Sequence, residues 1–237
     1  MELPNSGESY INPDLPERQR RLGRITLMAV IGPTASGKTT LINRLMERKP
    51  GDFHKIVGYT SRPPRSGEID GVDYHFAEKE QMSEMLNNGE FLQLETLPSG
   101  DIYGTTFESY LSSKPNIFTV AAQAMPNFRE YGFYSVKPVF VVPDGLSEWN
   151  RRILAQGITS AQLPKRLEEA KESFEFALSD GLTKFILNDF IDDAVDRFVQ
   201  AKDEKEIWLE EIARASAKII FDQLKLGIVP NLARTIK

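Results

Sequence analysis

Gly32-Pro33-Thr34-Ala35-Ser36-Gly37-Lys38-Thr39 matches the phosphate-loop pattern G-x-x-x-x-G-K-[ST] at every fixed position. The apolar run Ile25–Ile31 precedes it and is typical of a buried strand. After it, apolar residues recur at helical spacing: Leu41, Ile42, Leu45 and Met46. Strand, glycine-rich loop and helix is the order this pattern requires, because main-chain N–H groups at the helix start then surround phosphate oxygens. The stretch therefore predicts a nucleotide site rather than a chance glycine turn.

The residue types of the loop also indicate how a triphosphate is held. Lys38 is expected to bridge the β- and γ-phosphates, and the hydroxyl of Thr39 to ligate Mg²⁺. We expect the whole stretch and the adjacent Thr40 to bind ATP, with Mg²⁺ as the cofactor that accompanies it.

Composition excludes several other classes of function. The 237 residues carry a net charge of −5, so a broad nucleic-acid or anionic membrane surface is not expected. The absence of cysteine excludes disulfides, thiolate metal sites and cysteine nucleophiles. No apolar run reaches membrane-spanning length, and the N-terminus lacks the pattern of a secretory signal. A cytoplasmic protein without a membrane partner is the expectation.

Strand and helix patterns alternate along the chain, which predicts an α/β fold with a parallel sheet between helices. The predicted strands are Ile25–Ile31, Lys55–Tyr59, Ile117–Ala121, Val139–Val142 and Lys184–Leu187. The predicted helices are Thr39–Arg48, Lys79–Asn87, Met125–Tyr131, Gln162–Leu178 and Ile191–Ala201.

The two ends and two internal segments depart from this alternation. Residues 1–23 are polar and proline-bearing and predict a loose arm. The alternation of strand and helix patterns is interrupted by two inserts, residues 58–112 and 144–166. In phosphoryl-transfer enzymes such inserts usually carry the acceptor and close over the donor. Residues 202–237 form a helical extension, in which Trp208, Ile212 and Ile219–Ile220 are predicted to pack inward. Its charged residues are predicted to face away: Glu210, Glu211 and Lys218.

A second dense signal follows at residues 60–76. Arg62 and Arg65 stand three apart beside prolines, which suits two guanidinium groups that grip one phosphate dianion. Tyr74 and Tyr103 add hydroxyl donors. Residue types alone favour an exposed basic turn over such a clamp.

The wider pattern decides between these interpretations, because it resembles the guanylate kinase signature T-T-R-x-P-R-x-G-E-x-x-G-x-D-Y-x-F. Of its fixed positions only Ser61 differs. Further family elements follow in order over roughly residues 25–200: Gly89-Glu90-Phe91-Leu92, Tyr103-Gly104-Thr105, Arg166-Leu167 with Ala170, and Asn188-Asp189. The resemblance implies a P-loop NTPase-type parallel sheet core flanked by helices (24–57, 113–143 and 167–201). It also implies a small mixed α/β insert that binds the nucleoside monophosphate (58–112) and a helical lid (144–166).

The resemblance also implies the roles of individual residues in transfer of the ATP γ-phosphoryl group to GMP. The acceptor phosphate is expected on four residues: Arg62, Arg65, Tyr74 and Tyr103. Thr105 is expected near the base, and Asn188 beside adenine. Arg166 is expected to reach the transferring phosphoryl group, as is Arg152 or its neighbour Arg151.

Departures from the family concentrate where the base is read. Gln93 replaces a glutamate that accepts hydrogen bonds from guanine, and an amide cannot copy a carboxylate with two acceptors. Thr119 and Ala121 replace two aspartates, Gly58 a serine, and Gln156 the lid arginine before Gly157. Glu95 lies on the same strand face as Gln93, and a local shift would bring it into the base pocket.

Three hypotheses follow from this pattern. The first is a guanylate kinase with a variant base pocket. The second is a kinase of the same build for another base or another phosphorylated acceptor. The third is a binding module that has lost phosphoryl transfer, which the complete phosphate loop disfavours.

Overall fold

The computed structural model describes residues 2–5, 8–12, 20–65, 67–97, 100–111 and 113–227. Two compact units divide the chain. The smaller unit comprises Met1–Thr26, His54–Asn116 and Tyr131–Tyr134, and the larger comprises Leu27–Phe53, Ile117–Glu130 and Ser135–Lys237.

The described residues form both strands and helices. The strands are β1 (Ser9–Ile11), β2 (Thr26–Ile31), β3 (His54–Lys55), β4 (Gly58–Thr60), β5 (Tyr74–Phe76), β6 (Phe91–Thr96), β7 (Ile102–Thr106), β8 (Asn116–Thr119), β9 (Ser135–Pro143) and β10 (Lys184–Asn188). The helices are α1 (Lys38–Arg48), α2 (Lys79–Asn87), α3 (Met125–Glu130), α4 (Gly145–Ala155), α5 (Leu163–Ser179), α6 (Ile191–Lys202) and α7 (Glu210–Lys225).

The larger unit is built on a sheet in which the strands follow the order β10-β9-β2-β8, with β3 next in the same sheet. Strands β9 and β10 are parallel. Apolar side chains of the strands pack against α1 and α6 to form one core: Met28, Val30, Leu41, Leu45, Val139, Val141, Ile186, Val195 and Phe198. Strands buried on both faces read as continuous apolar runs, which is why β2 and β9 are recognisable in the sequence. The predicted α/β fold with a parallel sheet is confirmed.

The smaller unit holds a second sheet, of order β1-β6-β7-β4-β5. One face packs on α2 through an apolar cluster that includes Met82, Leu86, Phe91 and Leu94. Since side chains alternate across a strand, neighbours of Leu94 on β6 point to the opposite face. Gln93 and Glu95 lie on that face, together with their partners on β7, Thr105 and Tyr103.

Three predictions about the elements were wrong. The predicted strand Lys55–Tyr59 is divided into β3 and β4, which belong to different sheets. Part of the predicted loose arm, Ser9–Ile11, is a strand paired antiparallel with β6. In the C-terminal extension, Trp208, Ile212 and Ile219 are more than half exposed. Of the predicted inward stripe only Ile220 is buried, along with Ala213, Ala217 and Leu224.

Small residues explain the error on α7. Ala213 and Ala217 let the helix approach its neighbours closely, and a search for large apolar residues overlooks them. Glu210 does not face away either, because its carboxylate accepts a hydrogen bond from the main-chain N–H of Phe185 on β10 (3.3 Å). None of the helices within the described residues is both long and apolar enough to cross a bilayer.

Candidate active site

The loop Gly32–Thr39 joins β2 to α1 and is closely surrounded. Gly32 has φ +147°, and a Cβ there would lie 2.8 Å from the carbonyl oxygen of Val141. Gly37 has φ +94°, and a Cβ there would overlap the side-chain amide of Asn188. Glycine is therefore required at both positions by conformation and by space. The loop is also held by Trp149, whose indole N–H donates to the carbonyl of Thr34 (2.7 Å).

Lys38 lies at the start of α1 with its ammonium group turned back onto the loop. Its Nζ donates to the carbonyl oxygens of Gly32 (2.7 Å) and Pro33 (2.8 Å). Burial lowers the pKa of Lys38 to about 8, with a further lowering from the charge of Arg166 and an opposing effect from Glu169. A bound polyphosphate would raise this pKa again, because a nearby anion favours the charged form. The lysine is thus placed to respond to an anion in the loop.

Thr39 and Thr40 follow on the exposed first turn of α1. Among the described residues, no cluster of three or more histidine, aspartate or glutamate side chains could hold a metal ion. Mg²⁺ that remains with ATP phosphates and water needs only one or two protein ligands. The exposed hydroxyl of Thr39 fits such a role.

Of the two arginines considered for the lid charge, Arg152 contacts the loop. Its Nη1 donates to the carbonyl of Ser36 (3.2 Å), and its Nη2 to that of Asn188 (2.8 Å). Arg151 is largely exposed and pairs with Glu148. Both arginines hydrogen-bond Glu148, which lowers the pKa of this carboxyl to about 2. A guanidinium beside the loop can neutralise charge on a transferring phosphoryl group.

Arg166 and Asn188 complete the residues of the larger unit that the sequence singles out. Arg166 lies on α5 and pairs with Glu169 (2.9 Å), and its charge acts on Lys38. Asn188 ends β10 and is buried; its Nδ2 donates to the carbonyl of Ser36 (2.8 Å). Lys38, Arg152 and Asn188 are thereby brought together around one loop, and the charge of Arg166 lowers the pKa of Lys38 there.

In the smaller unit, Arg62 is the centre of a rigid cluster. It is 7% exposed and forms a bidentate pair with Glu68 (2.6 and 2.7 Å). Its Nε donates to the hydroxyl oxygen of Tyr103 (3.1 Å), and its guanidinium lies over the rings of Tyr74 and Phe76 at 5.1 and 5.5 Å. Because Tyr103 accepts from Arg62, its own O–H remains able to donate to an anion.

Arg65 differs from Arg62 in its surroundings. Its side chain is exposed, while its main-chain N–H donates to Glu68 (2.7 Å). Glu68 therefore organises the turn that carries both arginines. One guanidinium is fixed in advance and the other stands in solvent, an arrangement that can receive a phosphate dianion.

A short chain of buried polar side chains lies at the other end of this face. The amide Nε2 of Gln93 donates to Thr105 Oγ1 (3.5 Å), and Thr105 Oγ1 bonds the hydroxyl of Tyr110 (2.9 Å). Burial raises the pKa of Tyr110, so it remains a neutral phenol. Sequence reasoning did not find Tyr110, because a tyrosine outside a motif carries no positional signal.

The pairing of β6 with β7 fixes the register of Gln93 and Glu95. Gln93 lies opposite Thr105, and Glu95 lies opposite Tyr103. In this register Gln93, rather than Glu95, is the residue beside Thr105. Glu95 stays on the same face, where burial raises the pKa of its carboxyl.

Comparisons with known proteins find a matching family model and several similar sequences. The family model described as guanylate kinase matches residues 24–204. Guanylate kinase from Aliivibrio fischeri is 37% identical over 175 residues, which is 71% of this chain and 83% of that protein. Guanylate kinase from Vibrio vulnificus is 34% identical over 180 residues, 73% of this chain and 85% of that protein.

Two further comparisons concern length and fold. Guanylate kinase 1 of Arabidopsis thaliana is 35% identical over 165 residues, and the match spans only 42% of that longer protein. The crystal structure of guanylate kinase from Anaplasma phagocytophilum superimposes with a TM-score of 0.55 at 22% identity. That superposition covers 76% of this chain and 86% of the other, and it supports the fold.

Proposed function

Because this chain belongs to the guanylate kinase family, we propose that it transfers the γ-phosphoryl group of ATP to GMP or dGMP, forming ADP and the diphosphate. One observation carries the proposal. The phosphate loop is complete, and its Lys38 is held with Nζ on the carbonyls of Gly32 and Pro33. The complete loop with its lysine favours phosphoryl transfer over a module that only binds protein.

On the donor side, the loop would hold ATP through its main-chain amides and Lys38. Arg152 and Arg166 would stabilise negative charge on the phosphoryl group as it leaves ADP. Mg²⁺, when bound with ATP, would supply further charge neutralisation, and Thr39 would be its protein ligand. These residues supply positioning and charge, which is most of what in-line phosphoryl transfer requires.

On the acceptor side, Arg62, Arg65, Tyr74 and Tyr103 would grip the phosphate of the nucleoside monophosphate. The contacts of Arg62 with Glu68 and Tyr103 support this role, because a guanidinium that is already oriented loses little entropy when the phosphate binds. The hydroxyl of Tyr103 would donate to a phosphate oxygen.

A second candidate is a kinase for another base, and Gln93 favours it. The buried amide of Gln93 offers one donor and one acceptor, whereas a carboxylate offers acceptors alone. An amide can pair with O6 and N1–H of a 6-oxopurine without reading the 2-amino group. This candidate predicts that IMP competes with GMP as acceptor.

The test is an acceptor screen with radiolabelled ATP and the purified chain against GMP, dGMP, IMP, AMP, CMP and UMP. Labelled diphosphate from GMP and dGMP supports the proposal, and a preference for another acceptor supports the second candidate. Absence of transfer to every acceptor, with MgATP still bound, would contradict both. Lys38→Ala should lower turnover at least about a hundredfold, since it removes transition-state charge stabilisation.

Gln93→Glu tests the base-reading position directly. We expect it to raise kcat/KM for GMP relative to IMP about tenfold, because the carboxylate accepts from both N1–H and the 2-amino group. An unchanged ratio would show that Gln93 does not face the base. Glu95→Gln, on the same face, is the matched control.

A further inference from the structure

A buried arginine holds the turn that follows β10. Arg197 on α6 is 1% exposed, and its Nη1 donates to the carbonyl of Leu187 and to Asp189 Oδ1, both at 2.6 Å. Its Nη2 lies 3.3 Å from Asp189 Oδ2. The two partners flank Asn188 in the chain, so Arg197 restrains the backbone on both sides of that residue.

Asn188 connects this restraint to the phosphate loop. Its side chain donates to the carbonyl of Ser36, and its own carbonyl accepts from Arg152. There is no free space for Asn188 to move toward the loop, because its amide already occupies the place that a Cβ on Gly37 would take. A small displacement of the turn would therefore change the contacts of Asn188 with Gly37 and with Arg152.

The guanidinium of Arg197 is covered by Trp208. The Cζ atom lies 4.8 Å from the centroid of the indole ring. Arg197 Nε is buried and has no hydrogen-bond partner within the part of the chain that the structure describes, which is costly for a charged group. A cation over an indole face gains electrostatic attraction, most of all when desolvated. The contact with Trp208 thus compensates in part for the missing hydrogen bond of Arg197 Nε.

Trp208 is not a core residue. Its side chain is 59% exposed, and its main-chain N–H donates to the side chain of Gln200 (3.0 Å). The next residue, Leu209, has φ +64°, an unfavourable conformation for leucine, at the point where α7 begins. Trp208 also lies beyond residue 204, where the match to the family model ends. The contact therefore joins Arg197, inside the matched region, to a residue beyond it.

We propose that Trp208 is a positioning residue of the donor site, which acts through Arg197 and Asp189 to hold Asn188 against the phosphate loop. The segment after residue 204 then contributes to ATP binding without touching ATP. This inference rests on the proposed function only in that ATP is the ligand of the loop.

The test compares Trp208→Ala, Trp208→Phe and the control Ile212→Ala by calorimetric titration with MgATP. Ile212 is similarly exposed, at 55%, and lies near Trp208 in the chain. We expect Trp208→Ala to weaken MgATP binding about fivefold to tenfold, since the cation–π contact is lost. Phenylalanine should restore most of the affinity, and Ile212→Ala should leave it unchanged. The KM for the acceptor should stay the same in all three.

The outcomes separate this inference from the proposed function. If the wild-type chain does not bind MgATP, the proposed function fails. If the wild-type chain binds it and Trp208→Ala binds it equally well, the inference is overturned, whatever the change in melting temperature. An equal rise in the KM for ATP and for the acceptor would also overturn it, because that indicates general loosening. In both Trp208 variants Trp149 is the remaining one of the two tryptophans, so its emission reports on the loop as well.

Discussion

Gly37 is a position at which one added carbon atom would disturb the candidate donor site. Its positive φ and the neighbouring amide of Asn188 leave no room for a Cβ. We expect Gly37→Ala to weaken MgATP binding by at least about tenfold, roughly 1.4 kcal/mol, because either the loop or Asn188 must move. Calorimetric titration measures this change. Gly181→Ala is the control, since a Cβ there meets no atom within 4 Å. Equal affinities in the two variants would contradict the geometry of the loop.

In the smaller unit, the comparable residue is Glu68, which pairs with the candidate acceptor residue Arg62. Its hydrogen bonds to Arg62 hold the pKa of this carboxyl below its usual value. A lowered folded-state pKa adds stability above the unfolded-state pKa of about 4.3, and that stability is lost as the pH falls through the folded value. We expect Glu68→Gln to lower the free energy of unfolding by about 1–3 kcal/mol at pH 7.

The pH dependence makes this prediction specific. In urea unfolding, the difference between Glu68→Gln and the wild-type chain should shrink as the pH is lowered from 7 toward 3. Glu108→Gln is the control, because Glu108 pairs with Arg21 at the surface and such pairs contribute little. A difference that stays constant with pH would mean that the ion pair is not its cause.

Among the elements, β1 is the least expected from sequence, and it extends the sheet of the smaller unit. It pairs with β6, opposite Gln93 and Glu95. Asn12 follows it and is buried, and its Nδ2 donates to the carbonyls of Gly89 (3.1 Å) and Phe91 (2.8 Å). We expect Asn12→Ala to cost about 1–3 kcal/mol, because buried carbonyls lose their donor.

The same variant tests whether β1 contributes to binding of the nucleoside monophosphate. Its KM for the nucleoside monophosphate should rise severalfold while MgATP affinity is unchanged. Asn5→Ala removes an exposed amide that bonds Glu8 and should have little effect on either quantity. A change in MgATP affinity alone would contradict this assignment.

For the whole molecule, the candidate donor and acceptor residues belong to different compact units. Lys38, Arg152 and Asn188 lie in the larger unit, and Arg62 and Gln93 in the smaller. A ligand that binds the native state slows hydrogen exchange where its contacts stabilise the chain. We expect MgATP to protect amides of residues 32–39 and 187–190, and GMP to protect those of residues 60–76 and 93–105.

Hydrogen exchange measured by mass spectrometry, with each ligand alone, checks this expectation. Protection by GMP confined to the phosphate loop would show that the acceptor residues have been assigned to the wrong unit. The Lys38→Ala variant is the control, since it should lose the protection by MgATP and retain that by GMP.

The sequence by itself determined the parallel α/β core, the phosphate loop and most helix bounds, because local patterns encode them. A glycine loop between an apolar run and a helical repeat has few other structures available to it. The predicted helix Lys79–Asn87, for example, has the same bounds in the structure. Such features depend on residues close together in the chain, and periodicity records them directly.

Only the tertiary structure decided the contacts that join distant residues. It places Arg152 rather than Arg151 on the loop, bonds Tyr110 to Thr105, adds β1 to the sheet of the smaller unit and sets Trp208 over Arg197. None of these follows from spacing, because each depends on which surfaces remain to be covered after the core has formed. The packing of alanines on α7 has the same cause: burial is settled by how closely elements approach, and a one-dimensional pattern does not contain that distance.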